Sequence, residues 1–253
     1  MVTYKKEINS NRQSYYDKIK QQCQTEYPDV IFVNNFYLTC EKILEMSSST
    51  INLVECGVFN GGTLIPVTKF SKNAITGSPL TKQVNITGID SFRGFPDERV
   101  NPIDKFDTFK MQLDNGIINQ DYYNKAKERC FRKQEVLDKV YFDRVTTNIF
   151  DFAKDNQVNL LKGYFDDVLP TYNHPIDILY LDCDLYDSYL SCLNNLYDNI
   201  VEGGCIIFDE YFSYKYPGAR VAIDEFFEDK PGYFEQYNIP ADYERWCYVK
   251  DTK

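Results

Sequence analysis

Short apolar runs that alternate with segments of helical length are the feature that most constrains how this chain can fold. The runs are INLVEC, VNITGID, VNLLKG, IDILYLDCD and GGCIIFDE, which begin at residues 51, 84, 158, 176 and 203. Strands separated by helices are typical of a parallel sheet that is covered by helices on both faces. The sequence therefore predicts an α/β fold with a mostly parallel sheet.

The domain organisation follows from length and from the segments between these runs. The 253 residues are enough for one such domain with a large core, so we expect a single domain over 1–253. Residues 1–50 lack a strand pattern, and FYLTCEKILEM at 36–46 has the apolar spacing of an amphipathic helix, which predicts a helical N-terminal cap. The long polar stretch 92–118 is a candidate lid. The tail at 233–249 is expected to add an antiparallel pair at the sheet edge.

Composition limits the partners and the compartment of the protein. A formal charge of −10 opposes binding to nucleic acid or to an anionic membrane surface, so a small molecule is the expected partner. The eight cysteines form no CxxC pair and no cluster of zinc spacing. The N-terminus shows no signal-peptide pattern, and no run approaches membrane-spanning length. These features predict a reduced, cytoplasmic protein.

The segment VECGVFNGGT reads as a strand that enters a glycine-rich turn and then a helix. Glycines there permit positive φ values and a close approach of the backbone to a ligand, and such turns lie at the carboxyl edge of the sheet where ligands bind. The spacing lacks the GxGxxG of a dinucleotide enzyme, and Glu55 favours a cationic ligand over a diphosphate. Asp90 ends the next strand, at a position where a ribose diol is commonly held.

Carboxylates follow two further strands, with Asp182 and Asp184 after one and Asp209 and Glu210 after the other. If the strands are neighbours, these acids meet at one edge and raise one another's pKa values unless a cation neutralises them. Oxygen ligands favour Mg²⁺ or Ca²⁺, with Mn²⁺ a further option. A divalent cation lowers the pKa of a nearby hydroxyl, which suits transfer of a group to an alcohol.

An ordered set of motifs carries a family resemblance. VECGVFNGGT, GIDSFRGFPD, LLKGYFDDVLP, LYLDCDLYDSYLSCLNNLYDNIVEGGCIIFDEYF and PGARVAIDEFF resemble, in this order, the macrocin O-methyltransferase family, which methylates sugar hydroxyls. The resemblance runs from about residue 50 to the end of the chain. It implies the Rossmann-like sandwich of methyltransferases that use S-adenosylmethionine (SAM), with a mostly parallel, seven-stranded sheet and bound Mg²⁺.

The resemblance also implies roles for individual residues. Asp182, Asp209 and Glu210 become the metal ligands, although the family usually has Asp at the third position, and Asp182 is expected to double as general base. Tyr211 and Arg220 are the candidate substrate contacts. The residues implied to bind SAM are Glu55, Gly57, Thr63, Asp90, Ser91, Gly163, Tyr164, Phe165, Asp166 and Asp182.

Several functional alternatives stay open at this point. The abundance of Lys, Asn, Ile and Tyr favours a nucleotide-activated sugar, such as a heptose, in a surface or capsular polysaccharide pathway, while a glycosylated natural product is the other acceptor class. Asp182-Cys183-Asp184 is also a DxD motif, as found in metal-dependent glycosyltransferases. A non-catalytic scaffold has little reason to keep a costly carboxylate cluster. By the resemblance, the N-terminal helices are expected to form a homo-oligomer.

Overall fold

The computed structural model describes residues 2–32, 34–72, 79–95, 101–104, 106–116, 118–121, 123–124, 139–211, 216–239 and 244–251. The strands are β1 (Thr3–Glu7), β2 (Thr50–Cys56), β3 (Gln83–Asp90), β4 (Asn159–Lys162), β5 (Ile176–Leu181), β6 (Ile200–Phe208), β7 (Gly232–Asn238) and β8 (Arg245–Lys250). The helices are α1 (Ser10–Glu26), α2 (Phe36–Glu45), α3 (Leu64–Ser71), α4 (Phe106–Asp114), α5 (Lys139–Asn156), α6 (Phe165–Val168), α7 (Tyr186–Leu196) and α8 (Pro217–Phe226). Short 3₁₀ turns lie at Pro102–Asp104, Leu169–Thr171 and Tyr197–Asn199.

The eight strands form one sheet in the order β1-β7-β8-β6-β5-β2-β3-β4. Within this sheet β8 is antiparallel to both of its neighbours, β6 and β7, and the other neighbouring strands pair in parallel. The chain leaves β2 towards β3 and β4 on one side and later returns to β5 and β6 on the other. This reversal between β2 and β5 is the kind of switch point at which open α/β sheets bind their ligands.

Helices cover both faces of the sheet, because the central strands are apolar on both sides. On β5, Ile178 and Tyr180 pack into one buried cluster with residues of α1, α2 and α3, whereas Leu179 and Leu181 pack into a second cluster with residues of α7 and α8. Alternate residues of a strand point to opposite faces, so the run IDILYL is buried on both faces of the sheet. The predicted α/β sandwich is confirmed.

The N-terminal segment differs from the prediction at one place. Helices α1 and α2 form as expected and pack onto the sheet. Residues Thr3–Glu7 form β1, which pairs in parallel with β7 and gives the sheet an eighth strand in place of the seven implied by resemblance. The sequence TYKKE gave no sign of this strand because it is mostly exposed and therefore carries no buried alternation.

The antiparallel pair predicted near 233–249 forms as β7 and β8. The pair does not lie at the edge, because β1 covers the outer side of β7. Within the candidate lid at 92–118, the described residues include the turn Pro102–Asp104 and helix α4, while residues 96–100, 105 and 117 lie outside the described part. Opening and closing of this segment remains a prediction.

The cysteines and the helices bear on the compartment. Cys130 lies outside the described residues, and the seven described cysteines are buried with free thiols. Among the helices that the structure describes, none combines the length and the apolarity that a membrane crossing requires.

Candidate functional site

The carboxyl ends of β2, β5 and β6 are aligned at one edge of the sheet. The amide of Asp182 donates to the carbonyl of Cys56 over 2.9 Å, and the amide of Asp209 donates to the carbonyl of Leu181 over 2.9 Å. The ladder hydrogen bonds therefore continue one residue beyond the strands. As a result, the glycine turn after β2 and the acids after β5 and β6 leave the sheet at the same level.

The turn after β2 requires glycine at its first position. Gly57 has φ +93°, and a Cβ there would lie 1.7 Å from the carbonyl oxygen of Asp182. Both the left-handed conformation and the contact exclude a side chain. Further along the turn, a Cβ at Gly62 would lie 2.6 Å from the carbonyl oxygen of Ile31, so the N-terminal segment packs directly on the turn.

Glu55 is a buried carboxyl group on β2 beside this turn, and only 2% of the residue is exposed. Its Oε2 atom is buried and has no hydrogen-bond partner among the described residues. Burial raises its pKa well above the ordinary range, and the charges of Asp182 and Asp90 add to the rise. A buried carboxyl oxygen without a hydrogen-bond partner, near two other acids, would suit a cationic ligand, and this role of Glu55 stays a prediction.

Asp90 ends β3 and ties two turns together. Its Oδ2 accepts a hydrogen bond from the amide of Phe59 over 2.8 Å, and its Oδ1 accepts one from the amide of Phe92 over 2.7 Å. Phe59 and Phe92 both have positive φ values, 47° and 50°, a conformation that costs non-glycine residues energy. Burial raises the pKa of Asp90 while these amides oppose the rise. The Ser91 hydroxyl folds the next turn by donating to the carbonyl of Gly94 over 2.9 Å.

The other residues implied to bind the cofactor lie along the same edge. The amide of Gly163, just after β4, donates to the carbonyl of Asp90 over 3.0 Å, which places that segment beside the end of β3. Tyr164 precedes α6, and Asp166 accepts a hydrogen bond from Ser191 over 2.6 Å. Thr63 is buried and is the residue immediately before α3. Glu55, Asp90 and Gly163 therefore belong to three adjacent strand ends.

Three carboxyl groups converge beside this edge. Carboxylate oxygens of Asp182, Asp184 and Glu210, one from each residue, all lie within 4.8 Å of one another. Burial is the largest cause that raises the pKa of Asp182 well above its ordinary range, and the charges of Asp209 and Asp184 raise it further. Burial is also the largest cause of the raised pKa of Glu210, and the charges of Asp182, Asp209 and Asp184 raise it further. An all-oxygen donor set of this charge, with Glu210 buried and Asp182 and Asp184 partly buried, fits a divalent cation such as Mg²⁺.

Asp209 is adjacent to this group and is held by a separate set of side chains. Its Oδ1 accepts a hydrogen bond from the Tyr180 hydroxyl over 3.0 Å and another, very short, from the side-chain amide of Asn35. The guanidinium of Arg245 lies 3.8 Å from the same oxygen. The structure thus brings two of the predicted metal ligands, Asp182 and Glu210, together with Asp184. One oxygen of the third predicted ligand, Asp209, faces Asn35, Tyr180 and Arg245 instead.

The candidate substrate residues lie on the outer side of the acids. Tyr211 is largely buried, and its hydroxyl donates to Asp224 over 2.7 Å. Arg220, on α8, lies over the Tyr211 ring at 5.3 Å from the centroid, and half of its side chain is exposed. The Trp246 ring lies 4.9 Å from the Tyr211 ring. The two predicted residues are therefore in contact and form a cationic and aromatic patch next to Glu210.

The sequence profile of the Macrocin-O-methyltransferase (TylF) family matches residues 34–232, which is well over half of the chain. The chain belongs to the TylF macrocin-O-methyltransferase family. The residues matched to the TylF family include all the predicted site residues, from Glu55 to Arg220. Arg245 lies beyond the matched segment.

Curated relatives with which this TylF family member shares sequence are bacterial O-methyltransferases. It is 29% identical to demethyldecarbamoylnovobiocin O-methyltransferase of Streptomyces niveus over 69% of this chain and 57% of that relative. It is 26% identical to 8-demethyl-8-(2,3-dimethoxy-alpha-L-rhamnosyl)-tetracenomycin-C 4'-O-methyltransferase of Streptomyces olivaceus over 63% of this chain and 52% of that relative. The matched part thus spans little more than half the length of these relatives.

A solved structure shares the fold of this TylF family member. The O-methyltransferase NovP superposes with a TM-score of 0.54 at 25% identity, covering 87% of this chain and 79% of that chain. The methyltransferase fold that the resemblance implied is confirmed.

Sequence reasoning missed the residues that hold Asp209. Asn35 and Arg245 lie 174 and 36 residues away from it in the sequence, and neither stands in a motif. Tyr180 lies in the apolar run of β5, where the pattern predicts a core residue and gives its hydroxyl no separate role. The one available signal was the polar pair Asn34-Asn35 immediately before an amphipathic helix, which also suits an ordinary helix start.

Proposed function

We propose that the protein is a SAM-dependent O-methyltransferase that methylates a sugar hydroxyl with the help of a divalent cation. The observation that carries the proposal is the juxtaposition of two features on adjacent strands. The glycine turn with the orphaned carboxyl of Glu55 follows β2, and the converging carboxyls of Asp182 and Glu210 follow β5 and β6. The first feature suits a cationic cofactor, and the second suits a metal beside it.

The chain's own residues would bind and orient the two reactants. Gly57 keeps the backbone open for the cofactor, and Glu55 presents a carboxyl that attracts the positively charged end of SAM. Bound SAM would supply the methyl group, and a bound cation held by Asp182, Asp209 and Glu210 would supply charge that lowers the pKa of a sugar hydroxyl. Holding two reactants in line can account for ~7–11 kcal/mol of a reaction barrier.

In the proposed transfer, the sugar oxygen would form a bond to the methyl carbon as the bond between that carbon and the SAM sulfur breaks, and the hydroxyl proton would have to leave. We assign the proton to Asp182, because its carboxylate lies in the group of acids at which the cation and the sugar hydroxyl would meet. Histidine is excluded by position, because the sole histidine, His174, precedes β5 and lies at the opposite end of that strand from Asp182.

Arg220 and Tyr211 support a sugar substrate that carries a phosphate. Arg220 lies over the Tyr211 ring and pairs with Asp224 through Nε at 3.5 Å, and half of its side chain is exposed. A phosphate could bind the exposed part of the guanidinium while the aromatic patch meets the sugar face. This arrangement, together with the composition of the chain, favours a nucleotide-activated sugar in polysaccharide synthesis. The relatives' names favour the second candidate, a glycosylated natural product, since one of them methylates a rhamnosyl-tetracenomycin.

Membership of a methyltransferase family removes the support for a glycosyltransferase. The homo-oligomer and the cytoplasmic location remain part of the proposal. Size-exclusion chromatography with light scattering measures the first, and a monomer at micromolar concentration would contradict it.

The decisive experiment is an assay of the purified, EDTA-treated protein with SAM and one acceptor at a time. Nucleotide sugars and glycosylated natural products are tested with and without Mg²⁺, and mass spectrometry detects S-adenosylhomocysteine and a product heavier by one methylene. We expect turnover with Mg²⁺ and a nucleotide sugar. Turnover with only the natural products would support the second acceptor class, and SAM binding without methylation of any hydroxyl acceptor would overturn the proposed reaction.

A further inference from the structure

We propose that Asn35 is a positioning residue that sets the orientation of Asp209 at the metal site. The inference rests on the proposed function, because it concerns the same carboxyl group. Asn35 comes from the N-terminal segment immediately before α2, and Asp209 follows β6. Only 4% of Asn35 is exposed, so this amide is a buried part of the site.

The chemistry of its neighbours fixes which way the Asn35 amide points. The Arg245 guanidinium donates from Nη2 to Asn35 Oδ1 over 2.8 Å, and a guanidinium has donors only. The Asn35 oxygen must therefore face Arg245, and Nδ2 must face the opposite way. There it donates to Asp209 Oδ1, an acceptor, and to the Tyr180 hydroxyl over 3.1 Å.

Arg245 is itself held in place. Only 3% of it is exposed, and its Nη1 donates to the backbone carbonyl of Asp209 over 3.3 Å. The guanidinium thus binds the Asp209 main chain directly and its side chain through Asn35. Arg245 thereby ties the start of β8 to Asp209, and the Asn35 amide constrains the rotamer of the Asp209 carboxylate.

Tyr180 extends the arrangement to a second acid. Its hydroxyl lies 3.0 Å from Asp209 Oδ1 and 3.4 Å from Asp182 Oδ2. The hydroxyl has one proton, and it accepts from Asn35, so the shorter contact directs its donation to Asp209. With Oδ1 committed to Asn35 and Tyr180, the other oxygen of Asp209 is the one presented to a cation.

This arrangement has the form of outer-shell support for a metal site. Residues that orient metal-binding carboxylates typically change metal affinity by ~10- to 100-fold when they are mutated. Asn35→Ala removes the amide and frees the Asp209 carboxylate to rotate, while Asn35→Asp replaces the donor with a second acceptor beside it. Both variants lose the donor that orients Asp209, and Asn35→Ala, which adds no charge, is expected to weaken divalent-cation binding by at least tenfold.

The test measures cation binding directly, without turnover. Mn²⁺ is titrated into the purified full chain and bound ion is followed by electron paramagnetic resonance, and SAM binding is measured on the same samples by calorimetry. The matched control is Asn199→Ala, which removes the amide hydrogen bond to the Tyr172 carbonyl over 2.9 Å at the start of β6, the opposite end of that strand. We expect the control to bind Mn²⁺ as the unmodified protein does.

Thermal melting separates a positioning role from a loss of fold. If Asn35→Ala does not fold, Tyr180→Phe takes its place, since it removes only the hydroxyl that shares Asp209 Oδ1, and it is expected to weaken Mn²⁺ binding in the same direction. Folded Asn35→Ala or Tyr180→Phe with unchanged Mn²⁺ affinity overturns the inference, as does an unmodified protein that binds SAM but not Mn²⁺. Failure of the unmodified protein to bind SAM counts instead against the proposed function.

Discussion

A Cβ on Gly57 would lie 1.7 Å from the carbonyl oxygen of Asp182, which is less than half of an ordinary van der Waals separation. The turn after β2 and the end of β5 are therefore in direct backbone contact. This contact is possible only with glycine at position 57, and it joins the glycine turn to the main chain of Asp182.

Gly57→Ala is accordingly expected to be severe. The clash is with backbone, which cannot move aside cheaply, and alanine also disfavours φ +93°. We expect a loss of about 3 kcal/mol or more in the free energy of unfolding, because clash and backbone strain add. SAM binding is expected to be lost as well. Urea unfolding and calorimetry measure the two effects.

Gly203→Ala is the matched control for that experiment. Gly203 has φ +73°, but a Cβ there would meet nothing within 4 Å. Its expected cost is only the penalty of the left-handed conformation, about 1–2 kcal/mol. Equal losses for the two variants would show that the contact with Asp182 contributes nothing.

Glu55→Gln is expected to stabilise the protein without cofactor and to weaken SAM binding. Burial raises the pKa of Glu55, so folding must either bury its charge or bind a proton that the unfolded chain lacks at neutral pH, and glutamine removes that cost. It also removes the attraction for a cationic ligand, and loss of a charged interaction of ~1.5–3 kcal/mol corresponds to a drop in affinity of about ten- to a hundredfold. Differential scanning fluorimetry and SAM titration are the measurements.

Glu41→Gln provides the opposite case. The Glu41 carboxylate is also buried, but Arg12 and Tyr16 each donate to it over 2.7 Å. Its replacement should lower the melting temperature and leave SAM affinity unchanged. A stabilising effect at position 41, or a destabilising one at 55, would contradict this account of the two carboxyl groups.

The third metal ligand can be decided by a pair of matched variants. We expect Asp209→Asn to weaken Mn²⁺ binding more than Asp184→Asn, since the charge of Asp209 raises the pKa of both Asp182 and Glu210 more than that of Asp184 does. Outer-shell changes cost ~10- to 100-fold, and removal of a ligand should exceed that range. The reverse order would assign the third position to Asp184, one of the three acids whose oxygens converge.

Asp104 is expected to make stability depend on pH. It lies within the candidate lid and accepts a hydrogen bond from the amide of Tyr186, at the start of α7, over 2.7 Å. Burial raises its pKa from 3.8 to about 6, against the amides of Tyr186 and Gly218, which lower it. The folded protein then holds this proton more tightly than the unfolded chain, so its contribution to stability is lost as pH rises from about 4 to about 6.

Asp104→Asn should remove this contribution. Relative to the unmodified protein, the variant is expected to gain stability between pH 4 and pH 6 and to keep a constant difference above pH 6. Urea unfolding at several pH values measures the difference. A difference that is flat across the window, or that grows in the other direction, would mean that the pKa of Asp104 is not raised in the folded state.

Local pattern was sufficient for the strands that position the site. The runs ending at Cys56, Asp90 and Leu181 appear as β2, β3 and β5. The signal is strongest for β5, whose residues are all buried and which therefore reads as an unbroken apolar run. The convergence of acids after β5 and β6 could also be predicted, because the ends of neighbouring parallel strands meet at one edge.

Pattern failed where the deciding contact is distant in sequence. The strand β1 forms because β7 offers it an edge, and its own residues are mostly exposed. Asn35 and Arg245 are 210 residues apart, so the local sequence around either residue does not predict their hydrogen bond. The residue pattern placed Asp184 among the converging acids, whereas the ligand set implied by the resemblance left it out. Its φ of 61° is a backbone conformation that sequence alone does not specify for an aspartate.

The hydrogen bond between Arg245 and Asn35 also sets an order of events during synthesis. The pairing of β2 with β3 and the glycine turn between them need only the first 90 residues, so they are available early in translation. The orientation of Asp209 cannot be established until residue 245 has left the ribosome, because its two anchors come from distant parts of the chain. Until then the guanidinium that orients Asn35 and binds the Asp209 main chain is missing from the folding chain.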